Sequence, residues 1–207
     1  DLLLGGGRRH FLPKAQAGSK RSDERDIIAE LQKTGYSYVA DAAGLRAAPV
    51  TTRRLLGLFT LDHMSFDLDR DASKEPSLAE MTGKALDILS RNNQKGFFLM
   101  VEGGRIDHAL HNTNAARALQ DTIAFDDAIA AALARVDFGR TLVIVTADHD
   151  HTMVINGYGK RGGATVYDAQ SGEVKNAGVL GVVRSYSDGQ PVTDIEKQPY
   201  GVLGFGN

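Results

Sequence analysis

Cysteine is absent from this chain, which excludes disulfides and thiolate metal ligands, so any bound metal must be held through nitrogen and oxygen. Neither sign of charge dominates. The 24 basic and 26 acidic residues leave a formal net charge of −2 and no long run of one sign, so there is no electrostatic footprint for nucleic acid or an anionic membrane. Arg8-Arg9 and Arg53-Arg54 read as solvated surface. No stretch reaches the ~18 consecutive apolar residues expected of a membrane span. Internal repeats and low-complexity tracts are also missing. Asp1 opens the chain with neither a starting methionine nor a signal-peptide pattern, so the expectation is that the N-terminus of the gene product, with any export signal, lies upstream or has been removed. What is present is an ordinary globular composition: 207 residues, 42% of them hydrophobic, enough to bury a sizeable core.

The chemistry concentrates in two segments, 97–111 and 141–151. In the first, Phe97-Phe98-Leu99-Met100-Val101 runs into Glu102, Asp107, His108 and His111; in the second, Thr141-Leu142-Val143-Ile144-Val145 runs into Asp148, His149 and His151. An all-apolar run of this length reads as a strand buried on both faces of a sheet, so whatever follows it emerges at the carboxyl edge, where open α/β sheets bind ligands. Asp107 and His111 lie four apart in a helical pattern and so share one face of its first turn. Gly103-Gly104 lets the backbone turn with no Cβ in the way, leaving Glu102 available to a second ion. This donor set suits zinc, with an oxygen-rich corner for magnesium.

Taken singly, Asp107 or Asp148 reads equally well as a helix N-cap, and His111 or His149 as an ordinary polar or satisfied core histidine. Together at the ends of two buried strands they read differently. Gathering three carboxylates without cations would cost several kcal/mol in desolvation and like-charge repulsion, which bound metal removes.

Along the chain, alternating elements point to an α/β fold, a three-layer sandwich with a mostly parallel central sheet. The pattern predicts strands at 2–4, 36–40, 55–59, 97–101 and 141–145. Helices are predicted at 22–34, stopping at Gly35, at 77–90, with Ser77 and Glu80 in capping-box register, and from Asp107 to about Arg135, with Leu119, Ile123, Ala130 and Leu133 on its apolar stripe. Beyond Val154 glycines become frequent, and short runs at 164–167, 179–183 and 200–205 alternate with Ser171-Gly172 and Asp188-Gly189 turn signals, which reads as antiparallel hairpins or loops. The expected division is a partial α/β metal-bearing core at 1–154 and the start of a small β-rich, glycine-rich subdomain at 155–207.

The run Glu102-Gly103-Gly104-Arg105-Ile106-Asp107-His108 with His111, followed by Thr146-Ala147-Asp148-His149 and His151, resembles alkaline phosphatases. So do Leu4-Gly5-Gly6-Gly7-Arg8, Gly57-Leu58-Phe59 and Glu75-Pro76-Ser77-Leu78-Ala79-Glu80-Met81-Thr82, which extends the resemblance over most of 1–151. It implies a phosphomonoesterase acting on small-molecule phosphate monoesters through a phosphoserine intermediate, with two zinc ions and one magnesium ion. By the same resemblance, Asp107 and His111 bind the first zinc, Asp148 and His149 the second, and Glu102 the magnesium. His151 then stands behind the ligands, and His108 sits near the phosphate. A homodimer in the periplasm or outside the cell is implied as well.

The departures are as informative. No serine here lies in the Asp-Ser-Ala context of the family's nucleophile, so the chain carries no catalytic nucleophile, and no histidine after His151 completes the first zinc site. The expectation is an internal piece of the enzyme, inactive alone. Two rivals stay open at this point: a phosphodiesterase, sulfatase or phosphoglycerate mutase relative reusing comparable ligands, or a noncatalytic metal-binding or interaction domain.

Overall fold

The structure, a computed structural model, describes residues 1–91, 93–155, 166–168, 173–175, 181–182 and 201–205. The chain forms two compact units, one of residues 1–109 and 116–146, the other of 110–115 and 147–207.

In the first unit, β1 (Leu2–Gly5), β2 (Ser37–Val39) and β3 (Leu55–Leu58) make a parallel sheet in the order β1-β3-β2. The central strand β3 is buried along its whole length, as its apolar sequence requires. Its side chains alternate between two cores. Leu55 faces Leu45, Ala48, Met81 and Ile88, while Leu56 and Leu58 face Leu12 and Ile28. Gly57 is fixed by packing, since a Cβ there would stand 2.7 Å from the Phe59 ring and 2.8 Å from Leu4.

Helices supply both covering layers. On one side lies α1 (Ile27–Lys33), capped by Asp26, whose carboxylate accepts from the Ala29 N–H. The chain leaves it through Gly35 at φ 93°, a left-handed position that favours glycine. On the other side lie α2 (Ala42–Ala47), capped by Asp41, and α3 (Leu78–Leu89). The expected capping box is present: the Ser77 hydroxyl accepts from the Glu80 N–H at 3.1 Å, and the Glu80 carboxylate accepts from the Ser77 N–H at 2.8 Å. Glu80 also accepts from Arg46 Nε at 2.7 Å, joining α3 to α2. The fold is thus α/β with a parallel sheet, and the sheet is small.

Three sequence expectations are corrected. The helix predicted from Asp107 onward is two helices, α4 (Arg105–His111) and α5 (Ala115–Leu133), separated by a turn with Thr113 at φ 50°. Asn112-Thr113-Asn114 are poor helix formers whose short polar side chains compete for the backbone. On α5 the apolar stripe faces outward: Leu119 and Ile123 are exposed, whereas Ala118, Asp121, Ala124 and Ala128 are buried. Small residues allow the close approach there, and the larger apolar ones stay uncovered. Finally, 97–101 and 141–145 form no sheet ladder among the described residues, and Phe98, Met100, Leu142 and Ile144 are 74–89% exposed. An apolar run shows a capacity for burial, but a strand also needs neighbours, and none of the described strands pairs with these two.

The second unit is antiparallel. β4 (Met153–Ile155) pairs with β8 (Gly201–Phe205), which also pairs with β7 (Gly181–Val182), and β5 (Val166–Asp168) pairs with β6 (Glu173–Lys175). The described strands of this region are short and antiparallel. The two turn signals, Ser171-Gly172 and Asp188-Gly189, lie outside the described residues.

Candidate metal centre

Glu102 is exposed and stands just before α4. The glycines after it sit in tight surroundings. A Cβ on Gly104 would come 3.2 Å from the Glu102 carboxylate, and one on Gly103 would press on Ile106 and Phe125 at 3.1–3.2 Å. The chain then enters α4, where Asp107 lies in the first turn and His111 one turn later on the same face, as i, i+4 spacing dictates. Asp107 is half-buried and His111 is exposed.

In the second unit the His111 and His151 rings meet edge to face, with centroids 4.6 Å apart at 88°. The His149 ring lies 6.2 Å from that of His151. A ligand atom of His111 lies within 4.8 Å of one on His151. Donors around a tetrahedral zinc, each about 2.05 Å from the ion, sit about 3.3 Å apart, so modest side-chain rotation closes the difference. Imidazole nitrogen and carboxylate oxygen are donors that suit zinc, so His111 and Asp107 each offer an atom of the right kind, with His151 packed against the His111 ring.

Hydrogen bonds fix which nitrogen of each neutral ring is protonated. His149 Nδ1 lies 2.7 Å from the Asp150 carbonyl, which can only accept, so the proton is on Nδ1 and the lone pair on Nε2, the form that ligates a metal. His151 is the reverse. Its Nδ1 accepts the Thr152 N–H at 2.8 Å, so its proton is on Nε2, the form that donates to a carboxylate. Asp148 and His149 form an exposed pair, with Nε2 and Oδ2 3.7 Å apart, and the His149 N–H also donates to Asp148 Oδ1 at 3.1 Å.

Within the first unit, His108 accepts at Nδ1 from Arg105 Nη1 at 2.9 Å, and its ring packs on His63 with centroids 4.4 Å apart. Arg105 sits over Phe66, 3.7 Å from the ring centre. Sequence reasoning passed over His63, Phe66 and Arg105; Arg105 had a signal, its place in the Glu102–His108 motif. Beside them the Asp67 N–H donates to both carboxylate oxygens of Asp121 at 3.3 Å, and Gln120 donates to Asp67 at 3.0 Å. Burial, aided by the nearby Asp67 carboxylate, pushes the Asp121 carboxyl above its ordinary value.

The fold is α/β with a small parallel sheet, and Asp107 and His111, on one face of α4, are side chains of the kind that ligate a divalent metal. The alkaline phosphatase family model matches residues 1–199, and the chain belongs to that family. It is 39% identical over its whole length to a membrane-bound alkaline phosphatase of Bombyx mori and 34% identical to the tissue-nonspecific isozyme of Mus musculus. It spans 36% and 38% of those two relatives' lengths. Among solved structures, the Thermus thermophilus enzyme superposes on 62% of this chain and 26% of its own, with TM-score 0.54 and 35% identity. A mutant of the TAB5 alkaline phosphatase with Mg bound covers all of this chain and 49% of its own, with TM-score 0.64 and 25% identity.

Proposed function

We propose that this chain is the metal-binding section of a phosphomonoesterase that hydrolyses small-molecule phosphate monoesters through a phosphoserine intermediate. The observation that carries the reading is the meeting of His111 with His151, one helical turn from Asp107. In a protein of the relatives' length, the serine nucleophile comes from the part this chain does not span. Asp107 and His111 hold the first zinc, Asp148 and His149 the second, and Glu102 a magnesium ion. Bound there, the divalent ions supply charge stabilisation for the attacking and leaving oxygens of an in-line phosphoryl transfer.

The chain's own residues orient and donate. His149, with its lone pair on Nε2, is in the tautomer that binds, and His151, with its proton on Nε2, is in the tautomer that holds a ligating carboxylate and fixes its direction. His108 stands by the phosphate. The family match favours this reading over a sulfatase, a phosphodiesterase or a noncatalytic domain. Export to the periplasm or medium and homodimerisation rest on family membership, and cell fractionation and light scattering test them. No helix among the described residues is long and apolar enough to cross a membrane.

The test is hydrolysis of p-nitrophenyl phosphate by a protein of the relatives' length carrying this chain. Activity is expected to disappear with a chelator or with Asp148→Ala, and the 207-residue chain alone is expected to be inactive. Hydrolysis by the isolated chain that survives Asp148→Ala would overturn the proposal.

A further inference from the structure

Three arginines crowd the Phe66 loop, and they are held differently. Arg117 donates to Asp69 at 2.6 Å and Arg70 to Asp67 at 3.0 Å, the carboxylate partnerships expected of structural arginines. Arg105 instead sits over the Phe66 ring, with Cζ 3.7 Å from its centre, and directs Nη1 to an imidazole nitrogen, His108 Nδ1. Its Nε is buried with no hydrogen-bond partner among the described residues. A guanidinium so placed is a poor anchor for the fold and a good clamp for a ring.

We propose that Arg105, seated on Phe66, is a positioning residue that makes His108 a hydrogen-bond donor through Nε2. The argument is stereochemical. Guanidinium groups have no acceptor, so the 2.9 Å contact requires His108 Nδ1 to accept, and in the neutral ring the proton is then on Nε2. The ring is held on a second side by the tilted His63 ring, at 61° and 4.4 Å. Contact with the ring restrains the guanidinium, and its planar fork gives the N–H a direction that a lysine ammonium would not. Fixing the tautomer matters because the unprotonated oxygens of a phosphate or phosphomonoester dianion can only accept. An imidazole that presented a lone pair to phosphate would repel it.

The inference rests on the proposed place of His108 by the phosphate, and the experiment separates the two. Inhibition by inorganic phosphate is measured in the protein of the relatives' length for His108→Ala, Arg105→Met and the double variant. Each single change is expected to raise the phosphate inhibition constant about five-fold, the worth of one hydrogen bond, and the double variant is expected to match the singles. Arg105→Lys, a milder change, is expected to restore only part of the loss. Independently, the imidazole nitrogen shifts of 15N-histidine-labelled protein are expected to show His108 protonated at Nε2, and to show mixed tautomers in Arg105→Met. If His108→Ala weakens phosphate inhibition while Arg105→Met leaves it and the tautomer unchanged, or if the two effects simply add, the positioning role is refuted. If His108→Ala has no effect, His108 is not by the phosphate and the inference falls with that placement, while p-nitrophenyl phosphate hydrolysis still decides whether the protein is a phosphatase.

Discussion

Replacing His111 or His151 by alanine perturbs the proposed zinc site in unequal ways, because hydrogen bonding gives the two rings unequal roles. On the proposed assignment His111, one helical turn from Asp107, is a zinc ligand, and its loss removes that ligand. Structural zinc binding of about 10–16 kcal/mol spread over four ligands assigns about 2.5–4 kcal/mol to each, so His111→Ala should weaken zinc about 100- to 1,000-fold. His151 touches the His111 ring, yet its Nδ1 is taken by the Thr152 N–H and its Nε2 bears the proton. Such a residue supports a ligand, and its removal should weaken zinc only about 10- to 100-fold. His151→Gln, whose amide can still donate, should recover part of that. The assay is competition with a chromogenic zinc chelator in a protein of the relatives' length. Equal losses for the two alanine variants would refute the tautomer argument by making His151 a ligand; no loss for either would remove the zinc site altogether.

Three further outcomes follow from the fold. Ser77→Ala breaks the capping box of α3 and should cost about 1 kcal/mol in urea unfolding; an unchanged midpoint would show that the bond to Glu80 contributes nothing. Leu56, fully buried on the central strand, should cost about 2–5 kcal/mol as Leu56→Ala, with a loss below about 1 kcal/mol arguing against the packing described. Asp121 titrates above its ordinary value in the fold because burial disfavours the carboxylate, so its contribution to stability is full at acid pH and is lost as pH rises through the folded-state pKa. Asp121→Asn should therefore melt at a higher temperature than the parent at neutral pH, with the gain vanishing below about pH 3.9; a gain that grows on acidification would reverse the assignment.

Much of the first unit was legible in the sequence because its signals are local. Leu55-Leu56-Gly57-Leu58 announces a buried strand, and Ser77 with Glu80 announces the start of α3. The short α2 escaped notice because Gly44 in its middle masks a helical pattern, although Asp41 was a legible cap. The outward turn of Leu119 and Ile123 was not legible either. Hydrophobicity gives the period of a stripe but not what lies opposite it. At the site, the i, i+4 placement of Asp107 and His111 could be read directly. The ring tautomers could not, since they depend on backbone groups of Asp150 and Thr152 and, for His108, on contacts with Arg105. Phe66 and His63 reach the Arg105 and His108 side chains from a loop remote in sequence.

The two apolar stretches at 97–101 and 141–145 carry a cost apart from catalysis. Exposed greasy segments that pair with no strand among the described residues are adhesive, and one copy can template another. Handled by itself, the polypeptide should clump as its concentration rises. In the cell, covering these segments promptly during synthesis becomes a condition for solubility.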